Sequence, residues 1–142
     1  MPDPRVPAMT PTSDGTRPRL GRPLRVLILD DDPAVCDTLA GLVRLSGHEA
    51  RTAQSGAEAI AQALASPPDV ALLDIMIPGG DGYAVARTLR QVLARRPVLV
   101  VVTGRAGLED RSISEGFDHH LVKPVEPDLL AALLDRYADP TD

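Results

Sequence analysis

Three short apolar runs constrain this chain more than any other feature: RVLIL (25–29), VALL (70–73) and VLVVV (98–102). They are continuous rather than alternating. A strand with one wet face carries a polar side chain at every second position, so these read as strands covered on both faces, central in a parallel sheet. HEART (48–52) and HHLV (119–122) are more polar, as edge strands are. Helical patterns separate the five. Val35, Leu39, Leu42 and Val43 follow an Asp32-Pro33 start and precede Gly47 as a stop. Ser55-Gly-Ala-Glu58 is a capping box ahead of Ile60 and Leu64, closed by Pro67-Pro68. Val85, Leu89 and Val92 mark a third helix ended before Pro97, and Leu130, Leu133 and Tyr137 a last one begun by Glu126-Pro127. The stretch from Leu108 to Glu115 has a thin apolar face and gives the weakest helical signal. Five strands alternating with five helices imply an α/β fold, a doubly wound parallel sheet with right-handed crossovers. The order 2-1-3-4-5 is assigned by analogy with other open sheets.

Composition bounds what such a sheet is built from and what it meets. The 142 residues are 44% hydrophobic but only 2% aromatic, so Ala, Val, Leu and Ile must make the core. Residues 1–23 hold 6 of the 14 prolines and four Arg against two Asp, without periodicity, and read as a disordered tail. That leaves one domain over 24–138 and a short C-terminal tail, 139–142. The tail's +2, taken from the net −5, leaves −7 on the body. An acidic body argues against nucleic acid as the main partner, because phosphate binding needs a basic face. No run approaches the roughly 18 apolar residues of a membrane helix. The N-terminus lacks a secretory apolar region, and the one cysteine, Cys36, forms no internal disulfide. A cytoplasmic protein, monomeric or weakly dimeric, is the expectation.

The residues at the strand ends carry the chemistry. The first strand ends in Asp30-Asp31-Asp32, the third in Asp74, the fourth in Thr103-Gly104 and the fifth in Lys123-Pro124. In a parallel sheet these ends share one edge. A charge at the tip of a buried run such as VALLD is costly unless something compensates it. Clustered carboxylates raise one another's pKa unless a cation intervenes, and an oxygen-rich pocket without His or Cys suits Mg²⁺ with several waters retained. Asp74 in such a pocket can attack phosphorus and become an acyl phosphate. Lys123 takes up the transferring charge.

The segments LILDDDPAV, LLDIMIPGGDGY, VVTGRAG and LVKPVEP, in this order, resemble the receiver domain of bacterial response regulators, over about residues 24–137. The resemblance implies a flavodoxin-like sheet with Asp74 as phosphoacceptor. It implies Asp31 binding Mg²⁺ directly, Asp30 mostly through water, and the backbone carbonyl of Met76 as a further ligand. It makes Thr103 the switch hydroxyl and Lys123 the partner of the phosphoryl oxygens, with a cis bond to Pro124. The implied phosphodonor is a sensor histidine kinase or a histidine phosphotransfer protein, and the output is binding to a downstream protein target. Three positions depart from the family: His120 replaces the usual switch aromatic, Val125 the usual Phe, and Gly104 a small Ala. A histidine at 120 keeps a rotamer change and adds a charge that makes signalling pH-sensitive. The string GFDHHLVKPVEP looks most like receivers of hybrid sensor kinases, and with no output segment following, a stand-alone or relay role is expected. Met76 and Arg105 are bulky where the family borders the water's path to the phosphoryl group, which implies slow self-dephosphorylation.

Plainer roles fit several neighbours. Asp32 reads as the cap of the first helix and Asp81 as turn and cap before the third. His48 reads as an ordinary edge-strand residue and Cys36 as packing. His119 and His120 point to opposite faces and so make no joint metal site. Rival functions are a Mg²⁺-dependent phosphohydrolase with Asp30 as nucleophile and Asp32 as acid, a nucleotide- or flavin-binding module, and a degenerate receiver that only binds proteins. Ala34 and the short chain weaken the first, three phosphate-repelling aspartates the second, and the full acid, Thr and Lys set the third.

Overall fold

The strand ends do share one edge. The structure is a computed structural model and describes residues 23–77, 82–105 and 107–138. The strands are β1 (Arg25–Leu29), β2 (Glu49–Ala53), β3 (Val70–Asp74), β4 (Val98–Thr103) and β5 (His119–Val122). The helices between and after them are α1 (Pro33–Leu45), α2 (Gly56–Ala65), α3 (Gly82–Val92), α4 (Glu109–Ser114) and α5 (Pro127–Ala138). All neighbouring strands are parallel, in the order β2-β1-β3-β4-β5. The register pairs Leu29 with Leu73, Asp74 with Val102 and Thr103 with Val122. The residues that follow β1, β3, β4 and β5 therefore emerge together.

Alternation along the central strands builds two cores. Leu27, Leu29, Ala71, Leu73, Leu99 and Val101 face α2 and α3. Val26, Ile28, Val70, Leu72, Val98 and Val100 face α1 and α5. Every residue of β3 and β4 is buried, which is why both read as unbroken apolar runs.

Some local expectations shift. β2 begins at Glu49, and His48 sits in the turn before it. The buried face of α2 is Ala59 and Ala63, while Leu64 is 55% exposed. The two helices approach closely: a Cβ on Gly56 would lie 2.9 Å from Val85 Cγ2. Small residues fit that gap and a leucine does not. At the end of α3, Leu93 is buried where Val92 was expected to be. In α4, six residues long, Ser112 is the buried one, which explains its weak apolar signal. The expected tails (residue 23 apart) and Asp81 lie outside the described residues.

Polar groups pin the opposite edge of the sheet. Asp69, buried just before β3, accepts from the Arg25 backbone N–H at 2.8 Å and from Arg95 Nη2 at 2.7 Å. Asp69→Ala removes the buried acceptor from the Arg25 N–H and from a half-exposed Arg95 guanidinium, and chemical denaturation should show a loss of about 1–2 kcal/mol.

Two histidines tie the chain ends of strands. His48 Nδ1 accepts from the Leu24 backbone N–H at 3.0 Å, and His119 Nε2 lies 2.6 Å from the Tyr137 hydroxyl. Burial lowers the pKa of both; for His119 the nearby Arg136 charge adds to this. A histidine whose folded-state pKa is depressed stabilises the fold above its unfolded value. Below that value the unfolded chain binds protons that the folded one refuses. Thermal stability should therefore decline as the pH falls through and below about 6.5. In a His48→Gln, His119→Gln double variant that part of the decline should be absent.

Candidate functional site

The three consecutive aspartates after β1 divide their work. The Asp30 backbone N–H still donates to Ala53 O, at 3.1 Å, so its side chain stays inside, 1% exposed. Its Oδ1 accepts from the Asp32 backbone N–H at 2.9 Å. Asp32 Oδ1 in turn accepts from the Ala34 N–H at 2.9 Å and caps α1, with Pro33 at the first helical position. Asp31, between them, is exposed at the rim.

Asp74 closes β3 and is 5% exposed. One carboxylate oxygen, Oδ1, accepts from the Met76 backbone N–H at 2.9 Å; the other, Oδ2, accepts from Lys123 Nζ at 3.2 Å. Lys123 Nζ also donates to Asp30 Oδ2, at 2.5 Å, so one ammonium joins the ends of β1, β3 and β5. The Lys123 backbone N–H donates to Thr103 O at 2.8 Å, and the Lys123–Pro124 peptide bond is cis.

The electrostatics follow from this packing. Burial raises the pKa of Asp74. The Met76 N–H and the Lys123 charge oppose the rise, and the Asp30 charge adds to it. Burial alone would lower the pKa of Lys123, but hydrogen bonds and charges from Asp30 and Asp74 outweigh it and push the ammonium up. Carboxylate oxygens of Asp30, Asp31 and Asp74 lie within 4.8 Å of one another. Three hard oxygen donors with one ammonium among them fit a small divalent cation such as Mg²⁺.

Thr103, fully buried, faces the same edge, and its Oγ1 accepts from the Arg105 backbone N–H at 3.2 Å. Met76, 51% exposed, and the exposed Arg105 stand at the rim. A methyl at Gly104 would meet nothing within 4 Å, so packing does not require glycine there. His120 turns toward α4: its Nδ1 lies 3.1 Å from Ser112 Oγ, which lies 3.3 Å from the Tyr83 hydroxyl. The sequence gives no signal for Ser112, a lone hydroxyl in a helix of weak pattern. The phosphohydrolase rival loses its acid here, because Asp32 is committed to capping α1 and both Asp30 oxygens are engaged. Among the described residues no helix is long and apolar enough to cross a membrane.

Comparison with known proteins agrees with this geometry. The profile of the response regulator receiver domain matches residues 26–135. The transcriptional regulatory protein PrrA of Mycobacterium tuberculosis is 41% identical over 114 residues, 79% of this chain and 47% of the relative. TrcR, a transcriptional regulatory protein of the same species, is 35% identical over 126 residues, 84% of this chain and 49% of TrcR. The chain thus spans about half the length of these curated relatives. Among solved structures, a CheY-like receiver domain protein from Methanospirillum hungatei aligns with a TM-score of 0.71 at 30% identity, covering 81% of this chain and 96% of that one. The chemotaxis protein CheY4 of Vibrio cholerae aligns with a TM-score of 0.74 at 26% identity, covering 81% and 98%. With the fold, the strand order and a family match over most of its length in agreement, this chain belongs to the response regulator receiver domain family of two-component signalling.

Proposed function

We propose that Asp74 is the phosphoacceptor and that residues 24–138 act as a cytoplasmic receiver unit, phosphorylated by a sensor histidine kinase or a histidine phosphotransfer protein. One observation carries this reading: Lys123 Nζ sits between Asp30 and Asp74, 2.5 Å and 3.2 Å from their oxygens, with Asp31 beside them. Desolvation makes Asp74 more basic than a solvated carboxylate, and so a better nucleophile, while Lys123 holds it in place. As Asp74 attacks, the P–O bond forms and the P–N bond of the donor's phosphohistidine breaks. The freed imidazole keeps the electron pair and takes up a proton. Lys123 follows the transferred charge onto the phosphoryl oxygens, and the Thr103 hydroxyl at the end of β4 would turn to meet them. Asp30, Asp31, Asp74 and the Met76 carbonyl would hold Mg²⁺, which supplies charge neutralisation for phosphoryl transfer.

An open, mostly apolar groove of about 400 Å³ between α1 and the segment after β5 borders the site, with Val35, Leu39, Lys123 and Pro124 in its walls. It suits the helix of a phosphodonor that must bring a histidine to Asp74. The response then reaches a downstream protein target through α4 and β5, as two pre-existing states are rebalanced. The degenerate reading lacks support, since every acid, hydroxyl and ammonium of the set is present at one edge. The test is incubation with Mg²⁺ and a small acyl phosphate donor, followed by intact mass, with Asp74→Asn as control. No labile adduct on the wild-type chain refutes the proposal.

Met76 and Arg105 at the rim restrict the approach of water to an acyl phosphate on Asp74. Replacing both by small polar residues should shorten the adduct's half-life, by about tenfold if the hindered approach costs about 1.4 kcal/mol of barrier. Time-resolved intact mass after donor removal measures it. An unchanged half-life removes these two residues from the role.

A further inference from the structure

Ser112 Oγ has three polar neighbours: the Leu108 carbonyl oxygen at 3.0 Å, the Tyr83 hydroxyl at 3.3 Å and His120 Nδ1 at 3.1 Å. A hydroxyl offers one hydrogen and two lone pairs. The carbonyl only accepts, so all three contacts are satisfied when Ser112 donates to Leu108 and accepts from Tyr83 O–H and from His120 Nδ1–H. The other ring nitrogen, Nε2, is buried without a hydrogen-bond partner and faces the Glu109 carboxylate, with Oε2 at 3.9 Å.

The two neutral tautomers of the ring are not equivalent in this setting. With its hydrogen on Nε2 the ring must take the Ser112 hydrogen away from Leu108. With its hydrogen on Nδ1 it leaves every Ser112 contact intact, and Nε2 faces a half-exposed carboxylate too distant for a hydrogen bond. Beyond Glu109 on α4 and Tyr83 on α3, the neighbouring charges are Arg111, which stacks 4.4 Å from the Tyr83 ring centroid, and Glu115, which pairs with Arg111 at 3.8 Å and with Arg87 at 2.7 Å. His119, next in the chain, turns the other way, to Tyr137 on α5.

The helix involved is weakly held. α4 has six residues and no side-chain cap, and Ser112 is its buried residue. The polar chain from Tyr83 through Ser112 to His120 is therefore a principal tie between α3, α4 and β5. We infer that Ser112 is a positioning residue: with Tyr83 it orients the His120 ring, keeping its Nδ1–H toward Ser112, and clamps α4 to β5. The inference deepens the receiver reading, in which α4 and β5 carry the response, but the clamp itself is a property of the unphosphorylated chain.

The test uses the full unphosphorylated chain. Amide hydrogen exchange over residues 109–117 is compared between wild type and variants at one pH. Ser112→Ala should lower protection about fivefold, the equivalent of one net hydrogen bond. Glu109→Gln, at an exposed position that leaves packing intact, should keep protection. Ring-nitrogen NMR should find a hydrogen on His120 Nδ1 in the wild type and a changed tautomer balance in Ser112→Ala. Wild-type protection in Ser112→Ala, or a wild-type ring without hydrogen on Nδ1, overturns the inference. Intact mass after phosphodonor treatment is read in parallel. An adduct at Asp74 with unchanged exchange in Ser112→Ala sinks the clamp alone, and lowered protection in that variant without a wild-type adduct sinks the receiver chemistry alone.

Discussion

Asp74→Asn protein, given Mg²⁺ and a small acyl phosphate, should gain no labile adduct, a loss of at least about a hundredfold, because an amide forms no acyl phosphate. The neighbouring acids do not replace it. Asp30 has both oxygens engaged, by the Asp32 N–H and by Lys123, and Asp31 stands exposed at the rim. The same variant should be more stable, not less. Burial raises the pKa of Asp74, so the folded state takes up this proton more readily than the unfolded one. Stability from that difference is full below the ordinary carboxylate value and is lost as the pH rises through the raised value. At neutral pH the wild-type chain carries the cost, and Asn removes it. Melting curves without divalent ions should put Asp74→Asn above wild type near neutrality, with the gap closing in acid. Loss of the adduct together with a lower melting temperature at neutral pH would contradict the electrostatic account.

Among the described glycines, Gly82→Ala should be the most damaging single methyl. The added Cβ would lie 2.5 Å from the Asp74 carbonyl oxygen, 2.8 Å from Ile75 Cα and 3.0 Å from the Asp74 carbonyl carbon. All three are backbone atoms at the end of the segment that carries Asp74, the proposed phosphoacceptor, so no side-chain rotation relieves the clash. The expected loss is about 3–5 kcal/mol, at the extreme of single substitutions. Phosphoryl uptake by whatever remains folded should fall with it, since a shift of Asp74 disturbs the contacts to Met76 N–H and Lys123. Gly104→Ala is the control: its Cβ meets nothing within 4 Å, and stability should stay near wild type.

Much of this was legible in the residues, for identifiable reasons. RVLIL and HHLV coincide with β1 and β5, because buried and edge strands differ in composition as well as in period. Asp30, Asp31, Asp74, Thr103 and Lys123 share an edge because parallel strands bring their carboxyl ends together. Side-chain partition within each patch was not legible. Asp30 and Asp31 look alike in sequence, yet one is 1% exposed and the other open to solvent, a difference set by the backbone bond to Ala53. Helical spacing groups Leu64 with Ile60, but the close approach of α2 and α3 gives the buried face to Ala59 and Ala63. Ser112 carried no pattern, because its importance comes from three partners on separate elements.

The lysine at the end of β5 has a consequence for how a signal would spread. One ammonium serves two acids that belong to different strands. New negative charge on Asp74 draws that ammonium toward itself and leaves Asp30 undercompensated. Asp30 is bonded to the Asp32 N–H, and Asp32 in turn caps α1. The competition for a single cation therefore gives the first helix, on the far side of the sheet from α4, its own report of what happens at the third strand.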